Sequence, residues 1–401
     1  MKAAVVDGLL MFEPALVPHE SISPTRFVAI RQCALRENWA ATRAPPLLPA
    51  FPAARLGSVI HRLLEEAGQG AFTSGDALAV DQRWNDLVAN TELAMGSGWL
   101  ERQFVPLSRS VADFEVRRIQ ARARALELSE SVLSAWSRPL STASGGLGPL
   151  HGCEVPVSTH DRRVRGRIDA VALDRDGPVV RDYKSGAIYE AALGHGHTLK
   201  EAYEIQLRMY AALYAETSGT WPGRLEVVPI LGRSETVAFD PDECIRLLDG
   251  ARAALDAVNE AIRLDGPAEA VQGRLARPRP EICGYCPFRP GCLPYQAARK
   301  AGGGTWPHDL WGRLRSLAPL AGDRLIMELD CDDGLIRIRG LGSKERHPAL
   351  GILEPGDAVA VFNARPTGSP STFSESSFTV IYKVPEGSAS GPDRSAASDS
   401  R

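Results

Sequence analysis

The sequence predicts an α/β core with helices on both faces, followed by a small unit of short strands. Three observations predict it. Helical texture fills most of residues 21–138. Three strand-like runs follow, and a helix, a strand and a helix come after them. Beyond residue 305 the texture changes to short β runs separated by turns. The 401 residues suffice for two or three domains at about 150 residues each. With 44% hydrophobic and 24% charged residues the chain is globular rather than disordered. Its 37 glycines and 29 prolines predict many loops and at least one linker.

The elements are read in order. Residues 1–20 form an arm or edge strand. SISPTRFVAIRQCALRENW reads as one capped helix, with Ser23 or Thr25 as cap, Pro24 in the first turn and Phe27, Ile30 and Ala34 on one stripe. Residues 43–52 carry four prolines and form a loop. Residues 56–67 place Leu56, Val59, Ile60, Leu63 and Leu64 on one helical face. Residues 81–138 are mostly helical, and 139–150 form a break. Strands are expected at 153–160, 163–174 and 178–186, with Asp176-Gly177 turning the last two. A helix at 199–217, a strand at 224–230 and a helix at 243–264 complete the core. AGGGT at 301–305 reads as a linker. The runs DRLIMELDC, GLIRIRGL, DAVAVFNARP and SFTVIYKV are enough to close a small five-stranded barrel of OB type. The boundaries are 1–300, 301–384 and a polar tail, 385–401, expected to be disordered.

Composition excludes several classes. A net charge of -3 from 46 basic and 49 acidic residues rules out a coat that binds nucleic acid by bulk charge, but not a local basic groove. No run of 18 apolar residues is present, so no membrane span is expected. Asp7 and Glu13 interrupt the opening segment too early for a secretory leader. Seven cysteines, three of them within ten residues, point to a metal or thiolate cluster in a reducing cytoplasm rather than to disulfides.

The sharpest local signal is GRID at 166–169 followed by DYKSG at 182–186. Strand alternation puts Val180, Asp182 and Lys184 on one face and turns Arg181 and Tyr183 away. Hairpin pairing across the turn can bring Asp169 beside Asp182. Two adjacent carboxylates repel unless a cation or proton relieves them, and hard oxygen ligands favour Mg²⁺ or Mn²⁺. Lys184 beside them can orient water or stabilise charge on a phosphate. A surface hairpin with an ordinary Asp–Lys ion pair has the same spacing. His61 stands one turn after Gly57 on the 56–67 helix, and Gln206 and Tyr210 share a face four residues apart. Glu154 is a further carboxylate at the start of the first strand. Arg162, Arg163, Arg165 and Arg167 flank the Asp169 strand and suit contacts to phosphate.

Cys283, Cys286 and Cys292 follow a C-x2-C-x5-C spacing with two prolines and two glycines in compact turns. A tetrahedral site needs a fourth ligand, and Cys33, in the polar RQCALR context, fits best. Chemistry alone leaves Zn²⁺ and a [4Fe–4S] cluster both open.

Taken together, Cys33, Gly57-x3-His61, GRID169, Asp182-x-Lys184, Gln206-x3-Tyr210 and the three late cysteines, in that order, resemble the PD-(D/E)XK nuclease superfamily. The likeness is to its RecB/Cas4-like branch with an iron–sulfur cluster, over about residues 21–295. The resemblance implies a restriction-endonuclease-like core and a metal shell of His61, Asp169, Asp182 and Tyr183. It implies Lys184 as the catalytic lysine, Gln206 and Tyr210 as supports of the site and of DNA binding, and a [4Fe–4S] cluster on Cys33, Cys283, Cys286 and Cys292. Asp182 stands where many relatives carry Glu. The implied function is a Mg²⁺- or Mn²⁺-dependent deoxyribonuclease acting on single-stranded DNA or single-stranded ends, as an exonuclease in preference to an endonuclease. A non-catalytic nucleic-acid-binding or structural subunit is the alternative. No G-x4-G-K-[ST] phosphate loop occurs, so a helicase would act from a separate partner.

Overall fold

The computed structural model describes residues 7–73, 75–136, 150–190, 198–230, 232–302 and 305–386. Most of the expected 139–150 break, the centre of the 301–305 linker and most of the 385–401 tail lie outside the described residues.

The single helix expected over 21–39 is two: α1 (Pro24–Gln32) and α2 (Ala34–Ala41). Cys33 divides them. Its extended backbone (φ -165°, ψ 106°) closes α1 through an N–H bond to Ala29 and opens α2 at the same residue. Ser23 is the cap of α1, accepting from the Arg26 N–H at 3.3 Å. α3 (Pro52–Gly68) begins with its proline in the first turn and buries Leu56, Val59, Ile60, Leu63 and Leu64 along the expected stripe. α4 (Ala77–Ser97), the short α5 (Leu107–Ser110) and α6 (Phe114–Trp136) account for the next helical texture.

β1 (Gly152–Ser158), β2 (Arg165–Asp174) and β3 (Gly177–Lys184) form an antiparallel meander. β4 (Tyr189–Glu190) and β5 (Thr198–Leu199) make a small separate ladder ahead of α7 (Glu201–Ser218). Crossing by way of α7 returns the chain parallel to β3 as β6 (Arg224–Pro229), and β7 (Glu235–Thr236) completes the order β1-β2-β3-β6-β7. α8 (Pro241–Arg263) buries Leu248, Ala251, Leu255 and Val258. Helices cover both sheet faces, as expected. One core packs α1, α2, α7 and α8 on the sheet, and a second packs α3, α4 and α6 on it. α9 (Ala268–Leu275), α10 (Pro280–Cys283) and α11 (Leu293–Lys300) lead past the late cysteines. Among the described residues no helix is long and apolar enough to cross a membrane.

The C-terminal unit is β8 (Leu310–Leu320), β9 (Arg324–Cys331), β10 (Gly334–Leu341), β11 (Ala358–Phe362), β12 (Arg365–Pro366), β13 (Thr372–Ser374) and β14 (Val380–Val384). Their order is β12-β13-β10-β9-β8-β11-β14, a distinct seven-stranded sheet consistent with an OB-like appendage. It replaces the five strands expected, because the short β12 and β13 add to one side. The N-terminal arm joins the other side, where Leu9 bridges Lys383 in parallel and the Leu10 N–H donates to the Lys383 carbonyl at 2.9 Å.

A buried ion pair fastens this sheet to the cysteine-rich segment. Arg289, 2% exposed, donates in bidentate fashion to Asp309, 0% exposed, at 2.7 and 3.1 Å. Tyr295 donates to the same carboxylate at 2.6 Å, and the Asn363 N–H donates to it at 2.9 Å. Arg289 also donates to the Gly284 carbonyl at 3.0 Å. Removing the carboxylate strands a desolvated guanidinium. Asp309→Ala is therefore expected to lower unfolding free energy in urea by about 3–5 kcal/mol. An unchanged midpoint would show that the pair does not fasten the two parts.

Candidate active site

The site is built on the β2–β3 register. The β2–β3 ladder runs from Asp174–Gly177 to Ala170–Arg181, and just beyond its end Asp169 lies close enough to Asp182 to feel its charge. Strict alternation does not hold here. Ile168 and Val171 both enter the core under α7, whereas Ala170 enters the core under α3. The slip falls at Asp169, alongside Glu154 of β1, whose φ of +53° breaks that strand's pleat. Asp169 Oδ2 accepts the Tyr183 N–H at 2.8 Å, which ties its carboxylate to the backbone between Asp182 and Lys184. The Tyr183 side chain packs in the opposite core, so only its backbone meets the site.

Asp182 is 2% exposed, and Lys184 Nζ lies 2.6 Å from its Oδ2. That contact is an ion pair without directed hydrogen-bond geometry, and Asp182 Oδ2 has no hydrogen-bond partner. Lys184 Nζ donates to Gln206 Oε1 at 3.1 Å, and Gln206 Nε2 donates to Thr25 Oγ1 at 3.2 Å. The Lys184 ammonium also stands 4.8 Å from the centre of the Tyr203 ring. Tyr203, Gln206 and Tyr210 thus present one stripe of α7 to the lysine. Tyr203 and Thr25 escaped the sequence reading; the i, i+3, i+7 spacing of that stripe is the signal that marks Tyr203.

Two glycines permit the approach of the flanking helices. A Cβ at Gly57 would sit 2.8 Å from Ser185 Oγ, so α3 closes on the residue after the lysine. A Cβ at Gly166 would sit 2.9 Å from the Tyr210 ring and 3.1 Å from Pro24. His61, on α3, opens to solvent at the rim, while protein crowds its inner side. Desolvation and then the charge of Lys184 lower its pKa, against the opposing pull of Asp182.

Burial first, and then the charge of Asp182, push the Asp169 carboxyl up to about 7, against the Tyr183 N–H and Lys184. Burial raises Asp182 as well, opposed by Lys184 and His61. Without a cation the pair holds a proton at neutral pH. A buried carboxylate beside a second carboxylate suits a hard divalent cation, although Asp182 Oδ2 is here engaged by the Lys184 ammonium. Mg²⁺ is commonly held by one or two carboxylates, with water and substrate phosphate completing its shell. Among the described residues no group of three His, Cys, Asp or Glu is gathered tightly enough to hold an ion, so His61 does not join the two aspartates as a third ligand in this geometry.

The arginines divide. Arg163 pairs with Asp256, and Arg167 pairs with Glu154 at 3.4 Å. Arg162 lies exposed in a turn at φ +56°, and Arg165 is exposed on β2. Glu154 is engaged by Arg167, and its pKa is raised, by desolvation first and then by Glu65.

Cys33, Cys283, Cys286 and Cys292 line one cavity together with Trp39, Arg36 and Tyr295. The break between α1 and α2 turns Cys33 toward the late cysteines. Phe12, Trp39 and Phe288 pack edge and face around them at 5.0–5.9 Å. The thiols ring the cavity without any three converging on an ion-sized point. Burial pushes Cys286 up to about 11 and raises Cys283 and Cys292.

A family model described as the PD-(D/E)XK nuclease superfamily matches residues 21–293, more than half of the chain. No curated protein matches it. The matched span contains the sheet, α3, α7 and all four cavity cysteines.

In the metal-free protein the Asp169 carboxyl is expected to titrate near pH 7 by ¹³C NMR, protonated below and ionised above. A midpoint near 4 would contradict the enclosed pair. Asp182→Asn removes the neighbouring charge and should lower that midpoint.

Proposed function

Because the chain belongs to the PD-(D/E)XK nuclease superfamily, we propose that it is a Mg²⁺- or Mn²⁺-dependent deoxyribonuclease. The observation that carries this reading is buried Asp182 ion-paired to Lys184 beside Asp169, whose carboxylate accepts the intervening Tyr183 N–H and feels the Asp182 charge. Asp169 and Asp182 are the residues that hold the cation. When bound, the cation supplies Lewis-acid stabilisation of phosphate charge and acidifies a water molecule.

The chain's own residues do the rest. Asp182, Gln206 and the Tyr203 ring hold the Lys184 ammonium in place. From there it donates to a water or to a phosphate oxygen as negative charge grows on the phosphoryl oxygens. Thr25 fixes the amide orientation of Gln206, so the accepting Oε1 faces the lysine. Tyr210, buried against Gly166, backs the same stripe. His61 at the rim, together with exposed Arg162 and Arg165, is placed to meet the substrate backbone.

Single-stranded DNA, attacked from an end, is the substrate class this reading favours. The site lies between two helices, α3 and α7, and a duplex would need a separate strand-separating partner. The RecB/Cas4-like assignment rests on the four cavity cysteines. What supports a [4Fe–4S] cluster there is that Cys33, Cys283, Cys286 and Cys292 line one cavity, the last three in the C-x2-C-x5-C order that carries the resemblance. Such a cluster would join the α1–α2 junction to the segment after α10 as a staple. Seven free cysteines fit a reducing cytoplasm.

Digestion of 5′- and 3′-labelled single and double strands with Mg²⁺ or Mn²⁺ tests the activity. Wild type should cleave, and Asp182→Asn should lose about 10³-fold with unchanged circular dichroism. Undiminished cleavage by that variant would overturn the site. Protein isolated without oxygen should be brown, absorbing near about 400 nm, and Cys286→Ala should lose that colour. Colourless, zinc-loaded protein would overturn the cluster while leaving the nuclease reading intact.

A further inference from the structure

Three aromatic rings from three separate segments meet at the surface where the N-terminal loop, the cysteine turn and the C-terminal sheet adjoin. Phe51 is 43% exposed and Tyr285 is 71% exposed. Their ring centres lie 5.7 Å apart, and Phe51 stands 4.9 Å from the half-buried Phe378. Buried Phe104 backs Phe378 at 4.8 Å. The three surface rings also line one small cavity, with Leu48, Pro49 and Asn363 among its other walls.

Tyr285 has no role in holding the cysteine turn. Cys283, Cys286, Phe288 and Arg289 around it are buried, while its own ring stands out into solvent. Phe51 directly precedes α3, whose His61 is ten residues further on. At 1.5 Å per residue that is about 15 Å along the helix, the reach of about four stacked nucleotides. The segments that hold Phe378 in place also carry basic residues, with Glu345 among them. The Arg346 side chain donates to the carbonyls of Ser376 and Ser377, which brings the 344–346 strip, with exposed Lys344, next to Phe378. Gln103, adjoining exposed Arg102, donates to Ser377 from the other side.

We propose that Phe51, Tyr285 and Phe378 form a stacking platform for unpaired bases of single-stranded DNA, with Arg102 and Lys344 meeting its phosphates. The proposal rests on the nuclease reading for its ligand class and adds where the strand is gripped before it reaches Asp169 and Asp182. Every base has a π-face, so such a platform holds strands without reading their sequence. Bases suit this patch better than a protein partner does. Phe51 and Tyr285 are exposed, the flanking segments carry exposed Arg102 and Lys344, and the patch stands at one end of a helix that lines the catalytic carboxylates.

The test is fluorescence anisotropy of a 20-nucleotide labelled oligo(dT) on the full chain in EDTA, where no cleavage occurs. Tyr285→Ala and Phe51→Ala should each weaken binding by about 5- to 150-fold, and Tyr285→Phe should stay within about twofold. Hydrolysis of a p-nitrophenyl ester of thymidine phosphate, too short to reach the platform, should be unchanged in all three. Alanine variants that bind like wild type overturn the platform, leave the nuclease reading standing and point to a protein contact instead. Weakened binding by the alanine variants, together with a wild type that cleaves nothing with either metal, keeps the platform and removes the nuclease reading. Photocrosslinking of a bromodeoxyuridine oligonucleotide to wild type is independent of variant folding. Crosslinks at Phe51, Tyr285 or Phe378 are expected, and crosslinks confined to other regions overturn the proposal.

Discussion

Two carboxylates forced together out of water are the constraint on which the rest of the structure turns. Asp182 is nearly sealed, and Asp169, bonded to the next residue's N–H, feels its charge. Neither burial nor the neighbouring charge favours two anions there, so the pair must hold a proton, a lysine or a cation. Lys184 answers part of the demand through Asp182 Oδ2, while Asp169 has only the Tyr183 N–H. A fold that served stability alone would have little reason to keep such a cluster. The glycines at 57 and 166 and the α7 stripe make sense as means of holding it. Each lets a helix close on the strands, or aims a polar side chain at the lysine.

A second constraint binds distant parts of the chain. The cysteine segment touches the N-terminal loop, where the N–H groups of Leu47 and Leu48 both donate to the Pro287 carbonyl. It touches the C-terminal sheet through Arg289 and Asp309. Gly291 leaves room for Phe12, which a Cβ there would strike. The four cysteines therefore occupy the junction of the core and the appended sheet.

Much of this was legible in residues. The α3 stripe, the three strands and the shared face of Asp182 and Lys184 follow from periodicity, because burial on one face imposes it. The resemblance to the nuclease superfamily, carried by motif order, agrees with the family match over residues 21–293. Other features depend on contacts that no local window contains. The slip at Asp169 comes with the left-handed backbone of Glu154, fifteen residues away on another strand. The helix expected across Cys33 breaks there, where the thiol turns toward cysteines some 250 residues later. Thr25 reads locally as a cap, but Ser23 takes that role and Thr25 bonds Gln206. The C-terminal strands were visible as strands. Their number was not, since β12 and β13 are too short to carry an alternation signal.

The central claim is that Asp169 and Asp182 together hold a divalent cation. Titration of Mn²⁺ into the protein, followed by electron paramagnetic resonance of the free ion, tests it without reference to any substrate. Wild type should remove Mn²⁺ from solution, and Asp169→Asn or Asp182→Asn should each weaken that uptake by about tenfold or more. Uptake unchanged in both variants would contradict the account.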